Sequence, residues 1–587
     1  MMAPFSSAFL RRDPRAAAFL PADFRDREAR AALVQRQAQR ALPVSPAVFA
    51  ELAAQQAVLG DSPARATNLD ALRQPGTVVV VSGQQLGLFL GPLYTFYKAA
   101  TAIQLARTIE REHRVRCVPV FWLQTEDHDF EEIRHCHLPI FSGEHDLDGL
   151  TLSLSATPTN ESNAGQRIDR GSPDRGSPDR GSPDRGSIDH RTLGPEIEAR
   201  VQELGEALAG LPHAADCLAR VSAHYRRGVP ISTAFAGVLS ALFAEEGLLL
   251  INPRRAALSR EAAGLYRVAI AQHADLAAAL SARGSDLVQA GFAEQVAVRP
   301  GSSLFFFHET PTGPRFRLDR QAESDAWLLP QPEGRASRRL STTELLAALD
   351  REPLCFSTSA LLRPLLQDLL LPTVAYVGGP GEINYFAQLA PLYRAVAGTL
   401  PIQQPVVVPR ARFRCLDESS RSLLAKLGLS PSDVERPRAD ALQRALLHQR
   451  PLRDPSEAAS HTLDPRVASQ ALRQSLLADA QARLDALAQS EPGLRDAIVR
   501  TRRSIELNVD RLLQRYQRLL RERDGVLCQR IDRLQRMLYP HGEPQERHMS
   551  LPYFLARYGL AAFKERVFHS LAEQGCEHTD VRDLILS

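Results

Sequence analysis

The chain has 587 residues, of which 44% are hydrophobic and 24% charged, and its formal net charge at pH 7 is only +3. These values are typical of a large soluble globular protein, and the near-neutral charge argues against a partner such as nucleic acid or an anionic membrane. Seven scattered cysteines without a CxxC pair argue against a disulfide framework and a zinc ribbon, and they favour a reducing cytoplasm. We expect no secretory signal and no membrane span, because the chain lacks a sufficiently long apolar run.

The first part of the predicted core is a strand-helix-strand unit. Alanine- and arginine-rich helices are expected over residues 15–60, ahead of a β-branched run at 77–81 that is typical of a strand buried on both faces. An apolar stripe after residue 92 predicts a helix, and residues 116–123 form the next strand. This order within about 50 residues indicates a parallel sheet.

Later segments extend this core and interrupt it. Further core strands are predicted at residues 247–253, 373–377 and 404–410. Short antiparallel strands of a small inserted domain are predicted at residues 294–298, 304–307 and 315–318. The unit RGSPD, repeated three times from Arg170 to Asp184, predicts a disordered and functionally silent surface insertion. Apolar residues at 4-3-4-3 spacing over 465–540 predict a coiled-coil-like helix pair broken near 491–493, which is either an arm or a packing seam.

The segment after the first strand, SGQQLGLFLGP, predicts a ligand-binding turn. Ligands of open parallel sheets bind beyond the carboxyl ends of the strands. Gly83, Gly87 and Gly91 allow tight turns, and the N-terminus of the following helix suits a phosphate or carboxylate. Gln84 and Gln85 add neutral donors and acceptors. The segment is neither a P-loop nor a dinucleotide fingerprint.

Lysine is rare, since only three of the 71 basic residues are lysines, a bias that codon usage explains. Of Lys98, Lys426 and Lys564, only Lys98 lies within one of the motif segments. It is interpreted either as a solvated helix residue or as a charge contact to a phosphate or carboxylate. The persistence of a compact, flexible ammonium beside a glycine turn favours the second interpretation.

The segment after the second strand concentrates ionisable groups, namely Glu126, Asp127, His128 and Asp129. Like charges this close are expected to raise the pKa of some carboxylates and to favour a protonated histidine. Such a cluster suits a general base that accepts a proton from an attacking amine.

Two other interpretations of this segment stay open. His135 and His137 follow closely in the sequence and could belong to a metal site. A solvated acidic helix start with capping carboxylates fits Glu131 and Glu132 well, but it fits the residues directly after the strand less well.

A third strand-to-helix turn follows residues 373–377. Gly378, Gly379 and Gly381 either pack tightly or approach a ligand. Glu382 is expected to cap the helix or to hold a substrate ammonium, and Tyr385 follows on the helix.

In these motifs, the sequence resembles the cysteine-adding enzymes of bacillithiol biosynthesis, a family of cysteine ligases. The resemblance lies in residues 82–98, 119–133, 361–386 and 540–550, in the family order. Two departures stand out. Phe-Ser-Thr-Ser at 356–359 replaces a Ser-Pro-Asn-like run, so that Ser359 stands in place of a family-like asparagine, and the RGSPD repeat is foreign to the family.

The resemblance implies an α/β fold: a Rossmann-like parallel-sheet core with two connecting-peptide-type insertions, similar in plan to class I aminoacyl-tRNA synthetases, and a C-terminal α-helical coiled coil. The HIGH and KMSKS-type motifs of the synthetases themselves are missing. The expected divisions are core at 1–140, a mostly helical insertion at 141–245, core at 246–290, a β-rich insertion at 291–350, core at 351–455, the coiled-coil arm at 456–540 and a terminal segment at 541–587.

The implied reaction joins the carboxyl group of cysteine to the amine of glucosaminyl malate in a cytoplasmic homodimer. Activation of the carboxylate calls for ATP or another nucleotide, although no known ATP motif and no metal motif is present. The predicted catalytic residues are Asp127, His128 and Asp129. The predicted substrate-binding residues are Gly83, Gln84, Gln85, Tyr94, Lys98, Glu126, Gly378, Gly379, Gly381, Glu382 and Tyr385. A ligase for another amine, and a non-catalytic nucleotide-binding scaffold with a coiled-coil partner arm, stay open as alternatives.

Overall fold

The computed structural model describes residues 3–141, 149–155, 188–321, 324–330, 337–449, 465–523 and 525–586. The RGSPD repeat lies outside these residues. Two compact units make up the chain: a core unit of residues 1–138, 151–413 and 549–584, and an arm unit of residues 139–150, 414–548 and 585–587. Within the described ranges, no helix combines the length and apolar character needed to cross a membrane.

The strands are short, as is typical of α/β proteins. They are β1 (Val78–Gln84), β2 (Cys117–Leu123), β3 (His135–Leu138), β4 (Leu150–Ser153), β5 (Leu249–Ile251), β6 (Ser302–His308), β7 (Arg315–Arg320), β8 (Ala326–Leu329), β9 (Arg338–Ser341), β10 (Phe356–Thr358), β11 (Thr373–Gly378), β12 (Val406–Pro409), β13 (Arg412–Asp417) and β14 (Val581–Leu586).

Helices form most of the remaining regular structure. The first group is α1 (Phe5–Leu10), α2 (Pro14–Ala17), α3 (Arg27–Arg40), α4 (Pro46–Ala57), α5 (Pro63–Ala71), α6 (Tyr94–His113), α7 (Phe130–Ile133), α8 (Glu196–Leu208), α9 (Ala214–Ser222), α10 (Ile231–Leu242), α11 (Ala256–Ala271), α12 (His273–Gln289) and α13 (Thr342–Arg351). The second group is α14 (Arg363–Leu370), α15 (Pro380–Phe386), α16 (Ala390–Val396), α17 (Glu418–Leu427), α18 (Pro431–Val434), α19 (Arg438–Gln449), α20 (Pro465–Ser490), α21 (Arg495–Arg523), α22 (Gly525–Leu538), α23 (Gln545–His548), α24 (Leu551–Tyr558) and α25 (Leu560–Gln574).

The core unit is built on a five-stranded sheet with the order β12-β11-β1-β2-β5, in which every pairing is parallel. The β-branched run of β1 is fully buried, because helices cover both faces of such a sheet. Each buried valine contributes roughly 1.5–3 kcal/mol through the hydrophobic effect. The predicted parallel α/β core is therefore confirmed, and all five carboxyl ends lie along one edge.

A second sheet in the core unit is antiparallel, with the order β10-β6-β7-β8-β9. The predicted strands at 304–307 and 315–318 are confirmed as parts of β6 and β7. The predicted strand at 294–298 is wrong, because the backbone N–H and C=O of Val296 bond to the side-chain amide of Gln388 at 3.0 Å each and not to another strand.

The arm unit is helical. Its described apolar core combines short helices after residue 417 with α22. The predicted helix break near 491–493 is confirmed, since α20 ends at Ser490 and α21 begins at Arg495. A proline and a glycine at this point explain the break.

Candidate active site

Three polar segments meet at the carboxyl edge of the parallel sheet, where β1, β2 and β11 end. The strand order reverses around β1, and ligands of open α/β sheets bind outside the strand ends at such a point. Two contacts join the segments. Gln85 Nε2 donates to Asp127 Oδ2 at 2.5 Å, and Lys98 Nζ lies 2.5 Å from Glu382 Oε2. The structure thus brings the three predicted motifs into one site.

The glycines of the first motif are required by close backbone packing. A Cβ on Gly83 would lie 2.7 Å from the carbonyl oxygen of Trp122 on the neighbouring strand. A Cβ on Gly87 would lie 2.7 Å from the Cα of Gly91, which itself has a φ of +62°. These positions exclude side chains, so the loop can stay close to the sheet edge.

Lys98 is buried, with only 3% of its surface exposed, so the interpretation of a solvated helix residue is wrong. Its ammonium donates to the carbonyl oxygen of Gly83 at 2.8 Å and to Gln84 Oε1 at 2.9 Å, in addition to its ion pair with Glu382. Gln84 Nε2 in turn donates to Tyr94 Oη at 3.1 Å. The charge contact that the sequence predicted for Lys98 is therefore made to a carboxylate of the protein.

Glu382 both caps its helix and holds an ammonium, which is that of Lys98. It accepts hydrogen bonds from the N–H of Gly379 at 2.7 Å and from the hydroxyl of Tyr376. Burial alone would raise its pKa, but Lys98 and these donors outweigh burial and hold the pKa below its usual value. Burial lowers the pKa of Lys98, and Glu382 opposes that shift.

Tyr385 takes part in this network from α15. Arg363 Nη2 donates to Tyr385 Oη at 2.8 Å and to Tyr376 Oη at 3.3 Å, and all three side chains are buried. Tyr376 then donates to Glu382, so a continuous set of hydrogen bonds links Arg363 to the Lys98 ion pair.

The glycine turn before α15 has accessible space. A Cβ on Gly378 would touch Glu382 at 3.3 Å, whereas one on Gly381 would meet no atom within 4 Å. One on Gly379 would lie 3.5 Å from Glu382 Oε2, 3.7 Å from Arg410 Nε and 4.0 Å from Lys98 Cε. The backbone is therefore open at Gly381, whereas Gly379 is buried and its N–H is already bonded to Glu382.

Arg315 organises the second motif, and sequence reasoning missed it. From β7 it donates to the carbonyl oxygen of Glu126 at 2.8 Å, to Asp127 Oδ1 at 3.0 Å and to His128 Nδ1 at 3.0 Å. Its guanidinium also stacks on Phe306, with its carbon 4.3 Å from the ring centroid. The antiparallel sheet therefore contributes an arginine to the site at the edge of the parallel sheet.

The expected rise in carboxylate pKa is wrong for Asp127. Burial would raise its pKa, but hydrogen bonds and charge from His128, Arg315 and Gln85 lower it far below the usual value. At Glu126 the pKa is raised, but the cause is burial and not the neighbouring carboxylates, and two hydrogen bonds from Thr358 oppose the shift.

The segment Phe-Ser-Thr-Ser at 356–359, which differs from the family pattern, lies beside Glu126. Thr358 donates to the Glu126 carboxyl through both its hydroxyl and its N–H, the latter at 3.3 Å. The next residue, Ser359, is buried, and its hydroxyl has no hydrogen-bond partner among the described residues. A polar contact from an asparagine at this position is thus not reproduced by Ser359.

Asp129 and the two histidines have local partners. Asp129 Oδ1 caps α7 by accepting from the N–H of Glu132 at 3.2 Å. His135 Nδ1 bonds to Ser153 Oγ at 2.7 Å. His137 Nδ1 bonds likewise to a neighbouring hydroxyl. In the part of the chain that the structure describes, no three His, Cys, Asp or Glu side chains form a group suited to a metal ion.

The N-terminus of α6 was predicted to hold an anion. Thr95 and Phe96 in its first turn are buried, and the N–H of Leu93 donates to the carbonyl oxygen of Met549 at 2.9 Å. Residues 549–551 thus cover this helix end, and at least one of its amides is already occupied.

This fold and site define a Rossmann-like α/β protein with charged groups gathered at its topological switch point. Two family models match the chain: the N-terminal Rossmann-like domain of bacillithiol biosynthesis BshC, over residues 2–168 and 174–411, and the C-terminal coiled-coil domain of the same family, over 413–579. The chain belongs to the BshC family, and it is a ligase.

Curated relatives agree with this assignment. A protein of Koribacter versatilis named "Putative cysteine ligase BshC" is 36% identical over 508 residues, which cover 86% of this chain and 83% of the relative. Proteins with the same name from Solibacter usitatus and Salinibacter ruber are 32% and 31% identical, over 87% and 95% of this chain and 85% and 92% of the relatives.

Proposed function

We propose that this chain joins the carboxyl group of cysteine to the amine of glucosaminyl malate, forming an amide in bacillithiol biosynthesis. The names of the relatives support cysteine as a substrate. The observation that carries the proposal is the meeting of the three motifs through the Gln85–Asp127 and Lys98–Glu382 contacts. This arrangement places carboxylates and open glycine backbone side by side at the point where Rossmann-like sheets bind ligands.

A nucleoside triphosphate is the proposed co-substrate, because a free carboxylate needs activation before an amine can displace one of its oxygens. Open backbone at Gly381 and the guanidinium of Arg410 beside Gly379 support a phosphate-bearing co-substrate at this turn. When bound, the nucleotide would supply the leaving group that makes the cysteine carboxyl reactive.

The amine acceptor is proposed to bind on the opposite side, at Asp127, His128 and Asp129. With its lowered pKa, Asp127 is ionised at neutral pH and attracts an ammonium group. Arg315 fixes the orientation of both Asp127 and His128. Productive alignment of an amine against an activated carboxyl is worth several orders of magnitude in rate.

Ligation assays of Asp127→Asn and His128→Ala test this assignment. We expect both variants to lose conjugate formation by about 100-fold or more while melting like the unmodified protein. Glu131→Gln is the matched control, since Glu131 is exposed nearby and pairs with Arg134 at 2.8 Å. Full activity in both variants would contradict the assignment.

The amine acceptor needs its own test, because another low-molecular-weight amine would fit the same carboxylates. Thiol profiling of cells that lack the gene is expected to show loss of bacillithiol and accumulation of glucosaminyl malate. If a different amine accumulates instead, that amine is the acceptor and glucosaminyl malate is not. A non-catalytic scaffold is disfavoured, because the strand ends carry ionised groups rather than apolar filling.

We also propose a cytoplasmic homodimer formed through the helical arm. Several apolar side chains of α21 are exposed, among them Val499 at 64%, Leu507 at 50% and Leu512 at 60%. Exposed apolar groups on a long helix favour pairing with another helix. All seven cysteines are free thiols, as a reducing compartment would maintain them. Light scattering is expected to give twice the chain mass of 64.7 kDa, and the monomer mass would contradict the dimer.

A further inference from the structure

A buried carboxyl that the proposed reaction does not use lies on α14. Asp368 is only 7% exposed, and it accepts hydrogen bonds from the hydroxyl of Tyr393 and from Gln367 Nε2, the latter at 3.0 Å. A buried carboxylate costs free energy unless a positive charge balances it. The described residues place no cation in direct contact with Asp368, so the balancing charge acts through another group.

Arg363 supplies that charge from one helical turn earlier. Its guanidinium is buried as deeply as Asp368, and among the described residues it bonds to an amide and two hydroxyls but to no carboxylate. Arg363 Nη1 donates to Gln367 Oε1 at 3.2 Å, and Gln367 Nε2 donates to Asp368. One glutamine side chain therefore bridges the cation and the anion.

The other end of the guanidinium faces the strand-end site. Arg363 Nη2 donates to the hydroxyl of Tyr376, which donates in turn to Glu382, the partner of Lys98. A single set of hydrogen bonds thus joins two cations and two carboxyls. Their charges cancel when both carboxyls are ionised.

The Lys98–Glu382 pair at the end of this set joins two glycine turns. Lys98 donates to the carbonyl oxygen of Gly83 at 2.8 Å, and Glu382 accepts from the N–H of Gly379 at 2.7 Å. Linked hydrogen bonds polarise one another, so the loss of one buried charge weakens bonds further along the set. A change at α14 is therefore expected to reach the turn at Gly381, where the phosphate-bearing co-substrate is proposed to bind.

The surroundings of Asp368 decide when the charges cancel. Burial raises its pKa to about 7, although Tyr393 on α16, Thr373 on β11, Gln367 and Arg363 all lower it. Burial also raises the pKa of Tyr393, so this neighbour stays protonated and keeps its hydrogen bond. The set is therefore neutral above about pH 7 and carries one excess positive charge well below it.

We propose that Arg363 and Asp368 are positioning residues of the ligation, and that their buried charges hold the two glycine turns at the spacing that the co-substrate needs. The proposal rests on the proposed amide-forming function. Because the turns lie on the co-substrate side of the site, the two residues act on nucleotide binding and not on binding of the amine acceptor.

The first test measures nucleotide binding at about pH 8. Arg363→Met is expected to raise the KM for ATP about 10-fold and to leave the KM for glucosaminyl malate within about 2-fold. Tyr376→Phe is the milder variant, because it removes only the hydroxyl between Arg363 and Glu382, and the KM for ATP should rise in it too. An unchanged KM for ATP in either folded variant would overturn the proposal.

Arg65→Met is the matched control. Arg65 is 3% exposed and donates to the carbonyl oxygens of Leu59 at 3.3 Å and Ser240 at 3.4 Å. On the same helix Asn68 donates to Gly247, which precedes β5, so this arginine lies toward the amino ends of the strands. The control is expected to lose stability without a change in either KM. An equal rise in the KM for ATP in the two arginine variants would overturn the proposal.

A double-mutant cycle tests the link independently of turnover. At about pH 8, Arg363→Met combined with Asp368→Asn is expected to lose less unfolding free energy than the two single losses together, because removal of both charges restores the balance. The coupling should shrink at about pH 5, where folded Asp368 is protonated. Arg65→Met combined with Asp368→Asn should be additive at both pH values.

The two proposals fail in different ways. Additive losses for Arg363→Met and Asp368→Asn at about pH 8 would overturn the positioning role even in an active enzyme. Absence of any conjugate from the unmodified protein would instead refute the amide-forming function, whatever the cycle gives.

Discussion

The two sides of the strand-end site differ in how their charges are satisfied. The closed side, Lys98 with Glu382, is buried and balanced by one cation and one anion. The open side, Asp127 with Arg315 and His128, reaches solvent, since 25% of the Asp127 side chain and 20% of that of His128 are exposed. The buried pair holds backbone in place, whereas the ionised carboxylate of Asp127 can be reached by an ammonium group from solvent. Both sides carry ionised groups, but a substrate can reach only the groups on the exposed side.

The largest expected effect comes from breaking the closed side. Lys98→Met leaves Glu382 buried without its cation and is expected to cost about 3–5 kcal/mol of unfolding free energy. Removing both charges in Lys98→Met with Glu382→Leu should recover most of that loss. Denaturant unfolding measures the free energy of unfolding of the single and the double variant. Lys426→Met, at an exposed lysine, is the control and should stay within about 0.5 kcal/mol.

Lys98→Arg probes the same pair more finely. Three acceptors lie around a compact ammonium, and a larger planar guanidinium does not match that arrangement. We expect reduced stability and reduced ligation. Unchanged stability and an unchanged ligation rate would show that lysine is not required at position 98 and that its rarity in this chain reflects only codon usage.

Arg315→Ala tests the open side. Loss of its bonds to Asp127 and His128 should lower kcat/KM about 100-fold, because misplacement of a reacting group has effects of this size. Arg317→Ala, which removes the neighbouring arginine on the same Phe306 ring, is the control. Equal losses in the two variants would contradict a specific role for Arg315.

Arg315→Ala should also change how the free energy of unfolding depends on pH. A carboxylate whose pKa is lowered in the folded state stabilises the fold above its unfolded pKa of about 3.9, and this contribution is lost as the pH falls toward the folded value. Arg315→Ala removes part of the lowering at Asp127. The stability difference between the variant and the unmodified protein should therefore shrink below about pH 4, and a constant difference would exclude Asp127 as its source.

Thr358→Val removes the hydroxyl that donates to the buried Glu126 carboxyl. The expected cost is about 1–3 kcal/mol. A raised carboxyl pKa in the folded state lowers stability as the pH rises through it, so the loss should be larger at pH 8 than at pH 5. Thr358→Ser keeps the hydroxyl donor, so denaturant titrations should give nearly the unmodified free energy of unfolding at both pH values. An equal loss of stability in the two variants would argue against a role for the hydrogen bond.

The smallest effect is expected for Asp129→Ala. It removes the side-chain cap of a four-residue helix and should cost about 1 kcal/mol. Asp129→Asn keeps a capping oxygen and should leave the free energy of unfolding nearly unchanged. Because the amine acceptor is proposed to bind at Asp129, the ligation assay should show a lower rate for Asp129→Asn, and an unchanged rate would remove Asp129 from the proposed site.

Local patterns in the sequence identify much of the fold. The β-branched run at 77–81 and the two other strand-end motifs predict a parallel sheet and a site at one edge, because these signals lie within short segments. The strand expected at 294–298 fails, because its backbone partner is the side chain of Gln388, about 90 positions away. No local pattern encodes such a partner.

The partners of the charged residues are the least predictable part of the site. Arg315 is 188 positions from Asp127 and sits in a strand whose alternation signals only a half-buried sheet. Together with His128 and Gln85 it lowers the pKa of Asp127, opposite to the expected shift. Glu382 likewise replaces a substrate as the partner of Lys98. Composition can single out a charged residue, but only the fold decides which charge it meets.

The central claim is tested most directly by incubating the purified protein with cysteine, ATP and glucosaminyl malate and recording mass spectra, with each component omitted in turn. We expect a new thiol conjugate whose mass equals the sum of cysteine and glucosaminyl malate less one water, formed only with all three components and with ATP consumed. Absence of any conjugate together with absence of ATP turnover would contradict it.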